Sequence, residues 1–451
     1  MKYLEENQDL SETLIKIQKD LGFSEFILKK TIEKLRRDLQ RFHLADSFQL
    51  IESESTLTLQ IDGRYSGRKI LGKYLEESLS IKMVVTLFKK EFKSVEDFAE
   101  KNFISYSVAY NTLQILNREG KEYGLSANRG TIFDRENLSS SCLCTLFSLA
   151  DTDYREVYTF KVIAQTEKIF QAVTENYTLT NYEKKQLFHY IAIELQVGRI
   201  ARVVDKEYRY FSDEALNEIR LLLPPQLEDL DYHLLSWLFV NNKLEQVDVA
   251  EEIDNEIVQL SHTFLEKFEE RYGKLKPELA FGLAQGLSRL HVNILYRSIN
   301  IFDPLEVNLE FFRQHWSEFY LFSTDYVDSI VREYPKLLKF REYLFFNYLM
   351  LLIDMIPIES LTAPIRVLID FSYGENYNRF IQAQLLSTIK INLVVVDSIE
   401  QADLVITNEN DLYKASGLET VVWSDMPKTI DWLTLKERLS SIQEKNLCQQ
   451  V

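Results

Sequence analysis

The segment Ser94–Asp134 constrains the fold of this chain most, because it carries the signals of two short helices and a hairpin in close succession. Ser94 followed by Asp97 is a capping-box pattern, with Asp in place of Glu, and it predicts a helix start. The sequence Asn102-Phe103-Ile104 predicts a turn, and Ser105 is a favoured N-cap for a second helix. We therefore predict a helix–turn–helix that is followed by a two-stranded hairpin.

The second of these helices, Ser105–Glu119, has an apolar face and a polar face. At about 100° per residue, Ala109, Leu113 and Leu116 share the side that would pack on the first helix. The opposite side presents the candidate DNA-contacting residues, which can bond to base edges and phosphates in a major groove: Ser105, Tyr106, Ser107, Tyr110, Asn111, Gln114 and Arg118. In the hairpin turn, Asn128 and Arg129 would reach the neighbouring backbone or minor groove. An ordinary amphipathic helix with a solvated face is the alternative interpretation.

Residues 10–61 repeat this plan near the start of the chain. The first helix of the repeat is predicted from an apolar stripe formed by Leu10, Leu14, Ile17 and Leu21. A break at Gly22-Phe23-Ser24 follows, and the next predicted helix buries Leu28, Ile32, Leu35 and Leu39. Alternation from Phe48 to Ile61 then predicts a two-stranded wing that turns at Ser53-Glu54-Ser55. Two tandem copies favour a pair of winged helices over an isolated amphipathic helix.

Four cations line the opposite side of the second helix in this repeat: Lys30, Lys34, Arg37 and Arg41. A row of cations suits contact with DNA phosphates, although a basic stripe is also typical of a solvated helix face. The whole chain is acidic, with 52 Lys and Arg against 69 Asp and Glu, which by itself argues against nucleic acid. However, residues 1–135 hold 22 basic and 21 acidic side chains, and the remainder holds 30 and 48. We expect the acidic remainder to repel DNA and to confine contact to the N-terminal region.

Length and composition indicate a multidomain protein. A chain of 451 residues, of which 46% are hydrophobic, can form several buried cores, and we expect roughly three to five domains. The sequence contains no run of about 18 uncharged apolar residues, so no transmembrane helix is predicted. The charged N-terminus lacks a signal-peptide core. Cys142, Cys144 and Cys448 lack metal-binding spacing and fit reduced thiols in a cytoplasm. No cofactor is predicted.

The middle of the chain, from about residue 138 to 360, is predicted to be helical because proline and glycine are sparse and apolar residues recur at helical spacing. The periodic segments are Glu156–Thr174, Asn181–Val204, Asp213–Leu222, Asp231–Asn241, Val247–Tyr272, Leu279–Ser298 and Tyr343–Met355. Prolines at positions 224, 225, 277, 304, 335 and 357 separate them. We predict two helical bundles of similar length, divided near residue 243.

Each predicted bundle has a histidine within a long helix: His189 and His233 in the first, and His291 in the second. Such an imidazole is either a phosphorylatable or pH-sensitive group or an ordinary packing residue. No Ser-His-Asp ordering, metal cluster or glycine-rich phosphate loop accompanies these residues. The sequence therefore gives no positive sign of an enzyme.

The C-terminal region has a different pattern, in which strands and helices alternate. Strands are predicted at Arg366–Phe371, Ile391–Asp397, Ala402–Thr407 and Thr420–Ser424, and helices at Glu375–Lys390 and Ile430–Glu444. This alternation predicts a small parallel sheet. The loop Phe371-Ser372-Tyr373-Gly374 follows the first strand, at the edge where such folds place reactive groups. The predicted fold class is thus a multidomain α plus α/β chain.

The five predicted parts, in this order, resemble the Mga/AtxA-type virulence regulators of Gram-positive bacteria over nearly the full length, most specifically at Ser94–Phe133. The resemblance implies winged helix-turn-helix domains at residues 1–65 and 66–137, two PTS-regulation domains at 138–243 and 244–360, and a domain similar to enzyme IIB of sugar phosphotransferase systems at 361–451. It implies a transcription regulator, with activation as the implied direction. Such a regulator would bind double-stranded promoter DNA and form a homo-oligomer, such as a homodimer, through the helical bundles and the C-terminal domain.

The resemblance also implies regulatory histidine phosphorylation, with a PTS phosphocarrier protein as partner. It assigns this role to His189, within LFHYIAIELQVGRI, and to His291, within LSRLHVNIL, whereas His233 fits less well. Enzyme IIB proteins have a phospho-accepting Cys after the first strand, and this chain has Phe371 at that position. Because that reaction requires a thiolate, the domain is expected to serve association or sensing.

Two other functions remain open at this point. A phosphotransfer component of sugar uptake is disfavoured by Phe371 and by the two winged helices. An RNA-binding antiterminator contains related regulation domains, but such proteins begin with a small β-rich RNA-binding domain, where this chain has predicted helices.

Overall fold

The computed structural model describes residues 1–5, 7, 9–120, 125–128, 131–133, 138–150, 154–197, 211–223, 230–244, 255–297, 309–357, 364–389, 391–409, 413, 417–423 and 426–448. The chain separates into two compact units. The first consists of Met1–Asn255 and His291–Val307, and the second consists of Glu256–Leu290 and Asn308–Val451.

The first unit begins with helices and a small antiparallel sheet where the sequence predicts the first winged helix. These elements are α1 (Lys2–Glu5), α2 (Leu14–Leu21), α3 (Glu25–Arg41), β1 (Ser11–Thr13), β2 (Phe48–Glu52) and β3 (Thr56–Ile61). The strands form an antiparallel sheet in the order β1-β3-β2. The hairpin turns where predicted, with the Ser53 amide donating to the Thr56 carbonyl at 2.9 Å. Apolar residues of the three helices and of β2 and β3 meet in one core, which includes Leu4, Ile17, Leu28, Ile32, Leu39, Phe48 and Leu59.

The prediction that Leu10 lies in the first helix is wrong. Leu10 has a left-handed backbone with a φ of 51°, and the three residues after it form β1, which pairs with β3. The helix begins only at Leu14, where the Thr13 hydroxyl accepts a hydrogen bond from the Lys16 amide at 3.3 Å. Pairing with the wing satisfies backbone groups of β1, and this long-range contact leaves no mark on the local apolar spacing.

Two helices that no pattern above predicts, α4 (Gly67–Glu77) and α5 (Leu79–Phe88), connect the winged helices. The Tyr74 hydroxyl donates to the Asp38 carboxylate at 2.7 Å, which ties α4 to α3. On its other side α4 packs against α8 (Leu138–Ala150). There a Cβ on Gly72 would lie 2.6 Å from the Leu149 carbonyl oxygen, so only glycine permits this approach.

The second winged helix follows the predicted order of helix, turn, helix and hairpin. It consists of α6 (Val95–Lys101), α7 (Tyr106–Glu119), β4 (Leu125–Asn128) and β5 (Thr131–Phe133). The Ser94 hydroxyl accepts a hydrogen bond from the Asp97 amide at 3.2 Å, as the capping pattern predicts. Helix α7 packs on both α5 and α6.

The described residues in the rest of the first unit are mainly helical, as predicted. After α8 come α9 (Tyr154–Val157), α10 (Phe160–Asn176), α11 (Asn181–Val197), α12 (Asp213–Arg220), α13 (Asp231–Val240) and a π-helix at Asn293–Arg297. Helix α11 packs against both α8 and α10. The predicted helical residues 198–204 and 247–254 lie outside the described residues.

The helical part of the second unit is built around aromatic side chains. Its main elements are all but the first residue of α14 (Asn255–Tyr272), all but the last two residues of α15 (Pro277–Val292), α16 (Leu309–His315), α17 (Ser317–Glu333), a 3₁₀ helix at Pro335–Phe340 and α18 (Arg341–Met355). The Phe264 ring of α14 lies 4.9 Å from that of Tyr326 in α17 and 4.8 Å from that of Tyr348 in α18. Helix α17 lies in the region predicted to be helical but is not among the periodic segments named above.

The second unit ends in a four-stranded parallel sheet, as predicted. Its strands are β6 (Ile365–Asp370), β7 (Leu393–Val396), β8 (Leu404–Thr407) and β9 (Glu419–Val422), in the order β7-β6-β8-β9. Helix α19 (Glu375–Thr388) connects β6 to β7, and α20 (Thr429–Cys448) follows β9. The apolar residues of these elements form one core, which includes Val367, Ile381, Leu404, Trp423 and Leu435.

Candidate nucleic-acid interface

The turn before α7 is formed as the sequence predicts. The Ile104 amide donates to the Ala99 carbonyl at 3.0 Å and closes the end of α6. Ser105 then caps α7, because its hydroxyl accepts a hydrogen bond from the Val108 amide at 3.3 Å. Both ends of the turn are therefore fixed by local hydrogen bonds.

The inner face of α7 anchors the helix within its domain. Ala109 and Leu116 are buried as predicted, whereas Leu113 is only partly buried. Thr112 is also buried on this face, and its hydroxyl donates to the Val108 carbonyl at 2.9 Å. This anchoring determines which side chains α7 presents to solvent.

The outer face carries the residues predicted to contact DNA, and each of them is exposed: Ser105, Tyr106, Ser107, Tyr110, Asn111, Gln114 and Arg118. The rings of Tyr106 and Tyr110 are stacked, with centroids 6.1 Å apart. The Arg118 guanidinium is paired with the Glu119 carboxylate at 2.7 Å, but both side chains are well exposed. Because water weakens an exposed ion pair, a phosphate can replace Glu119. The contacts of this face with DNA stay predictions.

The hairpin after α7 lies in the predicted place. Asn128 is paired with Thr131 across β4 and β5. Arg129 and Gly130, which come between the two strands in the sequence, lie outside the described residues. The DNA contacts of Asn128 and Arg129 therefore also stay predictions.

The cationic face of α3 is exposed as predicted, but its four charges are not equivalent: Lys30, Lys34, Arg37 and Arg41. The Arg41 guanidinium lies 2.7 Å from the Glu77 carboxylate and 3.2 Å from that of Asp38. Lys30 and Lys34, by contrast, form no ion pair with any residue that the structure describes. The two lysines are therefore better placed than Arg41 to bind a phosphate.

His189, the first candidate for phosphorylation, is packed inside an aromatic cluster. Only 4% of the residue is exposed, and its Nδ1 lies 2.8 Å from the Tyr158 hydroxyl. Phe88, the last residue of α5, has its ring 5.9 Å from that of Tyr158 and 5.5 Å from that of Phe147. Burial, assisted by the positive charge of Lys185, lowers the pKa of His189 to about 4.

The other two candidate histidines are buried as well. The His233 Nδ1 lies 3.6 Å from the carboxylate of Glu194, which is also buried, and 3.5 Å from the Tyr190 hydroxyl. His291 is fully buried near the end of α15. In this conformation none of the three rings is open to a phosphate donor, so phosphorylation of any of them requires the surrounding helices to move.

The lowered pKa of His189 makes a prediction about acid stability. The folded protein resists protonation of this ring, whereas the unfolded chain does not. The contribution of the neutral imidazole to the free energy of unfolding is therefore fully present above the unfolded pKa of 6.5, and it is lost as pH falls towards about 4. The loss should reach about 3 kcal/mol. His189→Gln should remove this component, which can be measured by comparing urea unfolding of the first unit for the two proteins from pH 7 to 4. A wild-type curve with the same pH dependence as the variant would contradict the assignment.

In the loop after β6, two backbone amides are hydrogen-bonded to side chains of the same chain. Phe371 is buried, and its ring packs 5.1 Å from that of Tyr377. Its amide donates to the Asn378 side-chain oxygen at 3.0 Å, and the Ser372 amide donates to that of Asn408 at 3.0 Å. Amides that could hold a phosphate are thus occupied by side chains of this chain. A cavity of about 550 Å³ opens beside the loop at the carboxyl ends of β6 and β7.

Two further features concern metal binding and membranes. Across the residues that the structure describes, no three His, Cys, Asp or Glu side chains are grouped so that they could hold a metal ion. Within the same residues, none of the helices combines the length and apolar character needed to cross a membrane. Cys142 and Cys144 are free and buried, and burial raises the pKa of each thiol to about 12.

Comparison with known protein families connects this geometry to a function. Residues 64–136 match the family model of the Mga helix-turn-helix domain. The match includes α4 and α5 as well as the predicted helix–turn–helix and hairpin. No curated protein matches the chain. The exposed face of α7 therefore lies within the residues that match the Mga helix-turn-helix domain, which supports a DNA-binding transcriptional regulator.

Proposed function

We propose that this protein is a cytoplasmic transcription activator of the Mga/AtxA type that binds promoter DNA as a homo-oligomer. The observation that carries the proposal is the exposed polar face of α7 within the matched residues 64–136. Helix α7 enters the major groove, where Asn111, Gln114 and Arg118 face base edges. Arg129 holds the flanking backbone. The helical bundles and the C-terminal domain mediate self-association.

A comparison of nucleic acids tests this proposal. The full-length protein should bind promoter duplexes selected from genomic DNA at low salt, and it should bind a structured RNA of equal length more weakly. Equal or tighter binding to RNA would favour the antiterminator alternative. The measurement should cover a range of protein concentrations over which the oligomeric state changes. Failure to bind any duplex throughout that range would contradict the proposal.

The first winged helix adds phosphate contacts that do not depend on sequence, mainly through Lys30 and Lys34. On duplex DNA each such contact contributes about 0.9 to the slope of log affinity against log salt concentration. The double variant Lys30→Ala, Lys34→Ala is therefore expected to lower this slope by about 1.8, measured by fluorescence anisotropy. Arg41→Ala is the matched control and should have a smaller effect per residue, since Glu77 and Asp38 already neutralise Arg41. A slope unchanged in the lysine variant would contradict these contacts.

Phosphorylation by a PTS phosphocarrier protein regulates the DNA-binding activity, with His189 and His291 as the main sites and His233 as the third. A phosphoryl group adds a charge of about −1.5 to −2, which the buried surroundings of these rings do not accommodate. Phosphorylation would therefore stabilise a rearranged bundle. Incubation with the general phosphotransferase proteins and labelled phosphoenolpyruvate should give an acid-labile label that is lost in the triple variant His189→Ala, His233→Ala, His291→Ala. Absence of label from the wild-type protein would contradict this regulation.

A further inference from the structure

The turn of the second helix-turn-helix contains a residue whose properties the fold does not require. Phe103 is 97% exposed and has a left-handed backbone with a φ of 54°. This conformation is unfavourable for a bulky side chain, and exposure of an aromatic ring to water is a second unfavourable feature. Two unfavourable features in one residue suggest a role outside the folded chain.

The first winged helix makes the same turn with glycine. Gly22 has a φ of 66°, and the Phe23 amide donates to the Gln18 carbonyl, five residues back, at 2.9 Å. Ser24 then caps α3. In the second winged helix the three equivalent positions are Phe103-Ile104-Ser105, and the Ile104 amide again donates to a carbonyl five residues back. Because glycine makes this turn within the same chain, the phenylalanine is not needed to form it.

Other helix ends of this type present polar side chains to water. His43, Lys90 and Asn242 each have a positive φ, and the amide of the next residue donates to a carbonyl five residues back. Among the described helix ends with this hydrogen bond, Phe103 is the one that combines the left-handed backbone with an apolar side chain. Its ring is therefore the exception that needs a physical account.

The position of Phe103 indicates the group that the ring contacts. It lies two residues before the N-cap Ser105, at the end of a recognition helix that approaches base edges, and the exposed face of α7 continues from it. In the major groove, apolar side chains recognise thymine through its C5-methyl group. We propose that Phe103 reads the methyl group of a thymine at the edge of the site that α7 binds. This inference rests on the proposed DNA-binding function.

Deoxyuridine tests the inference directly, because it pairs like thymine and lacks only the methyl group. In a duplex selected from bound genomic DNA, each thymine is replaced in turn and the affinity of the full-length protein is measured. The wild-type protein should lose about fourfold in affinity at one position in each bound site, the effect of one buried methyl group. Phe103→Ala should bind the unmodified duplex at least about fourfold more weakly and should be insensitive to that same replacement.

Two further variants distinguish the effect of the Phe103 ring on DNA binding from two other effects. One is the strain of the left-handed backbone, and the other is the loss of any exposed aromatic residue. Phe160→Ala removes another strongly exposed phenylalanine, which is 86% exposed at the start of α10, and it should keep the wild-type sensitivity to deoxyuridine. Phe103→Gly should bind DNA like Phe103→Ala. Because glycine relieves the left-handed backbone, it should also raise the melting temperature of the first unit by roughly 2 °C.

Three results would overturn the assignment. The first is a wild-type protein that binds equally well with and without each thymine methyl group, and the second is a Phe103→Ala variant that keeps the wild-type sensitivity. The third is a variant that binds DNA normally but fails to activate transcription, which would assign the ring to a protein partner. In each of these cases DNA binding itself stands. A wild-type protein that binds no duplex at all overturns both the inference and the proposed function.

Discussion

Replacement of Gln114 and Arg118 by alanine is expected to abolish the shift of a specific promoter fragment, with a loss in affinity of roughly 30- to 20,000-fold. Each good pairing of a side chain with a base edge contributes about 1–3 kcal/mol, and contributions from separate positions roughly add. Both residues are exposed on the outer face of α7. Alanine favours the helix, so the folded domain should be unaffected. Titration of a labelled fragment in gel-shift experiments measures the loss.

The control for this double variant replaces the same two residue types at positions far from the proposed DNA interface in the sequence. Gln384 and Arg379 are exposed on α19 of the second unit, and their replacement by alanine should leave binding unchanged. Melting temperatures of both double variants should match that of the wild-type protein. If the variant of Gln114 and Arg118 bound the promoter fragment with wild-type affinity, the outer face of α7 would not be the surface that contacts DNA.

The parts of the fold that sequence predicts have strong local signals. Helix α7 and its turn follow from the caps at Ser94 and Ser105 and from one apolar stripe. The parallel sheet follows from short apolar strands that alternate with helices. Helix α5 gives no such signal, because seven of its ten residues are apolar and they are spread around most of the helix. A mostly apolar stretch of this length does not distinguish a helix from a strand.

Contacts between distant parts of the chain could not be predicted from a single sequence. Glu77 neutralises Arg41 across 36 residues, so a cation that appears free in the sequence is paired in the fold. The turn at Phe103 is predicted, but its left-handed backbone and its exposure become known only from the structure. The burial of His189 likewise depends on residues from other helices. Local spacing thus identifies a candidate side chain, while its availability is set by tertiary packing.

The cluster around His189 gives a physical route from the helical bundle to the DNA-binding domain. The imidazole contacts Tyr158, the Tyr158 ring contacts Phe88, and Phe88 ends α5. Helix α5 in turn packs on α7. The contacts from position 189 to α7 are therefore contiguous. Contiguity alone does not establish coupling, which a charged substitution can measure.

His189→Asp is expected to destabilise the first unit by on the order of 3–5 kcal/mol at pH 7, because it places an unpaired charge among buried aromatic rings. Hydrogen exchange should show faster opening of α5, α8 and α11, and also of α7 if the cluster holds the recognition helix. His189→Gln keeps the position neutral and should cause a smaller loss. His262→Asp is the matched surface control, since His262 is exposed on α14, and it should change stability by less than about 0.5 kcal/mol. If His189→Asp loosened the bundle but left exchange in α5 and α7 unchanged, a charge at this histidine would have no route to DNA binding through these contacts, and phosphorylation there would have to act through self-association instead.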